Sequence, residues 1–127
     1  MTNPCPFCQL DLSSVIASNA HALALSDGFP VSPGHTLIIP KRHVASFFEL
    51  TPEEQGAMLA LLAEMHQLLQ KERNPDGFNI GINDGAAAGQ TVMHLHLHLI
   101  PRYAGDQSDP RGGVRWIFPD KAAYWDK

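Results

Sequence analysis

His94, His96 and His98 stand at alternate positions of HLHLHLI (94–100), in a chain with only seven histidines. On an extended strand, alternate side chains share a face. The spacing predicts three imidazoles in register on one face, with Leu95, Leu97 and Leu99 turned into a core on the other. The outer two positions of such a row lie about 13 Å apart. That is too far for all three rings to close on one metal at Zn–N distances of about 2.1 Å. Division of labour remains. A neutral imidazole is a competent nucleophile when an acceptor holds the proton on its second nitrogen. Attack on phosphorus gives a phosphohistidine that water can clear. The neighbouring rings can donate to phosphate oxygens or to the leaving group.

Two further stretches carry chemistry. Before the histidine row, Gly85 to Gly89 form a small-residue loop whose backbone N–H groups can approach an anion, and Gln90 and Thr91 add side-chain donors. GAAAGQT is superficially like a P-loop, but it lacks the lysine and leads into a strand rather than a helix. Near the N-terminus stands CPFC (5–8), the chain's two cysteines. Its spacing leaves three readings open: a redox motif, for which the chain lacks room to place a preceding strand; two unligated thiols; or half of a zinc site that needs two more ligands.

These groups need elements to hold them. HALALS (21–26) and HTLIIP (35–40) read as strands separated by the turn-rich DGFPVSPG. KRHVASFFEL (41–50) is ambiguous, with a short helix as one reading. A helix is predicted over 51–73: Thr51 caps it, Pro52 suits its first turn and Glu54 completes a capping box. Met58, Leu61, Leu62, Met65, Leu68 and Leu69 fall on one face of that helix. FNIGIN (78–83) reads as a third strand and TVMHLHLHLI (91–100) as a fourth. From Pro101 onward the chain reads as loop with an aromatic tail. His21 and His66 read as structural, and Arg102, Arg111 and Arg115 stay outside the expected site. Strands around one long helix indicate α+β, an antiparallel sheet with the helix on one face.

The bulk figures bound the function. A length of 127 residues suits one domain, and 44% hydrophobic residues supply a core. A net charge of −4 argues against sequence-independent nucleic-acid binding, which needs a basic surface. No stretch resembles a signal peptide or a membrane span, so a cytoplasmic location and no membrane partner are the expectation.

HLHLHLI matches the histidine triad signature, and AGQTVMHLHLHLIPRYAGD (88–106) resembles in particular the fragile-histidine-triad branch of dinucleoside polyphosphate hydrolases. PGHTLIIPKRH (33–43) and IND (82–84) match further family blocks. The resemblance implies an α+β, HIT-like fold: a twisted antiparallel sheet of about five strands, one long and one short helix, and a homodimer formed through the long helix and an edge strand. It implies one domain over 1–127, with its core at about 5–106 and a tail at 107–127. It implies attack on the α-phosphate of a purine nucleotide through a nucleotidyl-histidine, releasing AMP, with no cofactor for the chemistry. His96 would be the nucleophile, with its second nitrogen held by the carbonyl of His94. His98, His35 and Gln90 would complete the catalytic set, and Asp27, Asn83, Gly89 and Thr91 would bind substrate, Asp27 at the ribose. Zinc-containing relatives complete a cysteine pair with the first triad histidine and one more, here giving Cys5, Cys8, His43 and His94 as a structural zinc site. A phosphoramidate hydrolase and a nucleotide- or zinc-binding sensor are the alternative functions.

Overall fold

The alternating and β-branched stretches assemble into one five-stranded antiparallel sheet. The structure, a computed structural model, describes residues 5–126; residues 1–4 and 127, the ends of the expected domain, lie outside the described residues. Strands β1 (Val15–Ser18), β2 (Ala22–Ser26), β3 (Thr36–Pro40), β4 (Gly77–Ile82) and β5 (Leu97–Arg102) lie in the order β1-β2-β3-β5-β4. The helix α1 (Pro52–Arg73) crosses from β3 to the edge strand β4. Its start follows the sequence prediction. Thr51 Oγ1 accepts from the Glu54 N–H at 3.1 Å, and Glu54 Oε1 accepts from the Thr51 N–H at 2.9 Å. Asn74 closes it in the left-handed region, with φ 46°.

The sheet has two dissimilar faces. On one, Met58, Leu61, Met65 and Leu69 of α1 pack on Ala22, Ala24, Ile38, Leu95, Leu97 and Leu99. Leu62 and Leu68 flank that core partly buried, so the predicted apolar face of the helix is the face that packs. On the other face Leu25, Leu37 and Ile39 form a smaller cluster with Phe7, Leu10 and Leu23. β3 is buried along its whole length because both faces are covered.

Two expectations are corrected. The fourth strand does not run over 91–100 but begins at Leu97 and continues through Pro101 to Arg102. Upstream of Leu97 the regular ladder with β3 and β4 stops, and the Leu95 N–H instead bonds the Val44 carbonyl at 2.7 Å. β4 ends at Ile82, opposite Leu97, and the last β3 pair is Ile38 with Leu97. Pro40 has no N–H to donate, and its carbonyl accepts from His94 Nε2 instead. The second correction is β1, which pairs Val15, Ala17 and Ser18 with β2 across a bulge; four residues with no alternation gave no sequence signal. The 41–50 stretch forms only a 3-10 turn at Phe47–Glu49, and the tail forms a 3-10 helix at Gly113–Ile117 and a short helix α2 (Pro119–Ala122).

Candidate active site and metal centre

Leu95, Leu97 and Leu99 anchor the histidine row by filling the core beneath α1. Their alternation turns His96 and His98 to the opposite face, where their ring centroids lie 5.2 Å apart. His94 departs from the row: it is fully buried. Each ring has a defined tautomer, set by backbone groups that can only donate or only accept. The His96 Nδ1–H donates to the His94 carbonyl at 2.9 Å, which leaves the Nε2 lone pair free. The Val31 N–H donates to His35 Nδ1 at 3.1 Å, so the His35 proton sits on Nε2. That group donates to His98 Nδ1 at 2.9 Å, which places the His98 proton on its outer Nε2. Among the described residues, the chain of donors thus ends in an N–H without a protein acceptor, beside a lone pair on His96.

Burial lowers the pKa of both His35 and His98 below the ordinary histidine value. For His98 the proximity of His96 and His35 adds to the effect, and for both the Asp27 carboxylate opposes it. Asp27 Oδ2 lies 3.4 Å from His35 Nε2 and 4.0 Å from His98 Nδ1. Its Oδ1 accepts from the Phe29 N–H at 2.8 Å, an Asx-type turn that aims the carboxylate at the pair. Phe7 packs against His96, with ring centroids 5.3 Å apart.

The loop before the row is held by its own hydrogen bonds. Gly85 and Gly89 have φ of 98° and 94°, conformations that favour glycine. The N–H groups of Gly85, Ala88, Gly89 and Gln90 all bond within the loop. The Gln90 carboxamide accepts from Gly85 N–H at 2.8 Å and donates to the carbonyls of Ala45 and Val92 at 2.9 and 3.1 Å. Gln90 is therefore spent on shaping the loop. Asn83, Gly89 and Thr91 are exposed. Asn83 lines a cavity with His35 and His98, whereas Gly89, Gln90 and Thr91 lie outside it. That open cavity, of about 650 Å³, is bounded on one side by the C-terminal segment around Pro110, Val114 and Trp116.

Asp84, which sequence reasoning passed over, ties the loop to the segment after His43. Its Oδ2 accepts from Ser46 Oγ and from the Phe47 N–H, both at 3.0 Å. A lone aspartate beside an asparagine carries no signal for such a long-range cap.

At the other end of the row, Cys5, Cys8, His43 and His94 bring their ligand atoms within 4.8 Å of one another. His94 Nδ1 lies 3.4 Å from Cys5 Sγ, 3.5 Å from Cys8 Sγ and 3.2 Å from His43 Nδ1, and Cys8 Sγ lies 3.2 Å from His43 Nδ1. Tetrahedral zinc with ordinary bond lengths separates its ligands by about 3.3 to 3.8 Å, so the donor set fits that ion. The His94 Nε2–H donates to the Pro40 carbonyl at 2.8 Å, leaving the Nδ1 lone pair aimed at the other three, the outer-shell arrangement of metal-binding histidines. The Cys8 thiol is held above its ordinary pKa, first by its hydrogen bond to Cys5 and then by burial and the charge of Cys5. A cation among the four atoms relieves that conflict.

Comparison with known proteins agrees with this geometry. The model of the HIT domain family matches residues 11–105. An uncharacterized HIT-like protein of Mycoplasma genitalium is 41% identical over 106 residues, covering 80% of this chain and 75% of the relative. The asymmetrical bis(5'-nucleosyl)-tetraphosphatase of Schizosaccharomyces pombe is 42% identical over 80 residues, covering 63% of this chain and 44% of that protein. Among solved structures, a Zn-bound histidine triad family protein from Mycobacterium smegmatis superposes with TM-score 0.68 at 38% identity, covering 75% of this chain and 69% of the other. Diadenosine triphosphate hydrolase from Plasmodium falciparum gives TM-score 0.74 at 30% identity, covering 79% and 68%.

Proposed function

The chain belongs to the HIT domain family, and from that premise we propose that it is a nucleotide hydrolase acting on dinucleoside polyphosphates, with His96 as nucleophile. The observation that carries the reading is the tautomer chain. His96 Nδ1–H is held by the His94 carbonyl at 2.9 Å, so the Nε2 lone pair attacks the α-phosphorus. The bond to the bridging oxygen breaks, and the leaving phosphate takes that electron pair. The outer N–H of His98, fixed by His35 at 2.9 Å, hydrogen-bonds the departing oxygen and stabilises its charge without giving up the proton. Water then attacks the nucleotidyl-histidine, the Nε2–P bond breaks with its electron pair returning to His96, the attacking water gives up one proton to solvent, and AMP leaves. His35 acts through His98, and Gln90 acts by holding the loop that carries Asn83, Gly89 and Thr91. Asp27 serves the ribose and the charge state of the histidine pair. The named activities of two relatives, a tetraphosphatase and a diadenosine triphosphate hydrolase, support the substrate class.

Structural zinc belongs to the same reading. Cys5, Cys8, His43 and His94 would hold it, and when bound it supplies a cross-link between the N-terminal segment and the sheet. His94 then serves both centres, its ring at the metal and its carbonyl at the nucleophile. A homodimer is also proposed. β4 is an unpaired sheet edge, and Ile80 on it and Leu59 on α1 are each about half exposed, at 51% and 52%. No described helix is long and apolar enough to cross a membrane.

The deciding experiment is AMP release from diadenosine tetraphosphate and from adenosine 5'-phosphoramidate, side by side. Rapid cleavage of the first, reduced about ten-thousandfold or more in His96→Ala, is expected. Preference for the phosphoramidate would move the reading to P–N hydrolysis. Nucleotide binding with no cleavage of either substrate would move it to a sensor.

A further inference from the structure

The cavity beside His35 and His98 is larger than a phosphate chain requires, and its walls are of the wrong kind for one. Apart from the two histidines, its charged lining residues are Arg102 and Asp109. The Arg102 charge is paired with Asp106, and three of its five N–H groups are engaged within the protein. Its Nε and Nη2 bond Asp106 at 2.8 Å, and its Nη1 bonds Asn79 Oδ1 at 2.7 Å. Asp109 is held by Arg111 at 3.0 Å. Burial keeps His35 and His98 towards the neutral form. Among the described residues, then, the lining presents no free cation to a polyphosphate.

What the lining does present is carboxamide and aromatic surface. Asn83 and Gln107, with Asn79 already bonded to Arg102, line it together with Ile100, Val114 and Trp116. The Trp116 indole is pinned by its N–H bond to the Arg111 carbonyl at 2.7 Å. Gly113 sits directly on Asn79: a Cβ there would meet Nδ2 at 3.2 Å. The tail is thereby seated on the edge strand and forms one wall of the cavity beside β4 and β5. A volume of about 650 Å³ is of the size that encloses a small organic ligand. A flat, uncharged group with several donors and acceptors matches amides set among apolar walls.

We infer that this cavity is the pocket for the base of the leaving nucleotide, bounded by Asn79, Asn83, Gln107 and Trp116 and built by the C-terminal segment. The inference rests on the reading of the histidine face as a nucleotide site. It makes the tail, rather than the triad, the part of the molecule that selects a second nucleoside over a bare phosphate chain. The phosphates between the two nucleosides stay at the mouth, in water.

The test compares binding of diadenosine tetraphosphate and ATP to the His96→Ala protein by calorimetry. Both ligands offer one adenosine and a polyphosphate of similar charge, and only the first brings a second base. The dinucleotide is expected to bind about tenfold more tightly, the scale of one base stacked on an aromatic side chain. Trp116→Ala should bring the ratio of affinities close to one, and Trp116→Phe should retain most of it. Gly81→Phe fills the same cavity from the edge strand, where nothing lies within 4 Å of an added Cβ, and should also collapse the ratio. Equal affinities in the His96→Ala parent, or a ratio that survives both Trp116→Ala and Gly81→Phe in folded protein, overturn the inference. Hydrolysis is scored separately in the parent enzyme. AMP release with a binding ratio of one removes the pocket and keeps the hydrolase. A ratio near ten without AMP release keeps the pocket and removes the hydrolase.

Discussion

Asp27 is where a single residue matters most for the charge of the site. Burial disfavours protonation of His35 and His98, and the Asp27 carboxylate is the one neighbour that favours it for both. His96, just before the strand, works against protonation of His98, as does His35. Asp27→Asn keeps an acceptor at the position but removes the charge. The midpoints of His35 and His98 in an NMR titration should therefore move further down, without any nucleotide present. Unchanged midpoints would show that the 3.4 and 4.0 Å separations are screened out. The sign for stability follows. A histidine whose folded pKa lies below its unfolded value near 6.5 resists protonation when folded, so stability falls as pH drops below about 6.5 and levels off below the folded value. Asp27→Asn should deepen that loss.

At the scale of elements, α1 is held at its start by one carboxylate with two tasks. Glu54 accepts from the Thr51 N–H and also from Arg42, whose Nη2 and Nε lie 2.7 and 3.0 Å from its oxygens. The Arg42 hydrogen bond is the largest cause of a Glu54 pKa lowered to about 2. This pins the segment bearing His43 to the helix. A lowered carboxylate pKa stabilises the fold above the unfolded value near 4.3, and that contribution is lost as pH falls towards 2. Glu54→Gln should therefore lower Tm at pH 7 and flatten the acid limb of a Tm-versus-pH curve. Thr51→Ala removes the other half of the capping box and should cost about 1 kcal/mol in urea unfolding. A cost near zero would mean that packing alone starts the helix. In the sheet, Leu99→Ala, beneath α1 and fully buried, should cost about 2–5 kcal/mol, far more than loss of any one surface ion pair.

At the scale of the molecule, the candidate metal centre and the proposed nucleophile meet on one short stretch of chain, His94 to His96. Cys5 and Cys8 come from the N-terminal segment, His43 from the stretch after β3, and His94 from the approach to β5. Removing zinc with a chelator should lower Tm, by about 4 kcal/mol of stability at free zinc a thousandfold above Kd. Amide exchange should rise first in residues 5–10, ahead of β2 and β3. Cys8→Ser should reproduce that pattern without chelator. If the amides of 5–10 exchange alike with and without metal, Phe7 and Leu10 packing against Leu25, Leu37 and Ile39 is what holds the segment.

The sequence by itself determined what depends on local spacing. Alternation placed Leu95, Leu97 and Leu99 in the core, and the capping box started α1, because both rest on periodicities built into the backbone. The CPFC spacing offered half of a zinc site, while the roles proposed for His35 and Asp27 and the candidate ligands His43 and His94 came through family resemblance, since residues tens of positions apart leave no spacing to read. Only the tertiary structure decided where β5 begins, because a strand ends where its partners on either side end. It buried His94 and brought the Pro40 carbonyl to its ring. It also turned Gln90 inward onto the loop, set Asp84 as a cap, and folded a tail that reads as loop into the wall of a cavity. Those outcomes depend on which distant backbone groups arrive beside a side chain, and that is settled when the sheet closes.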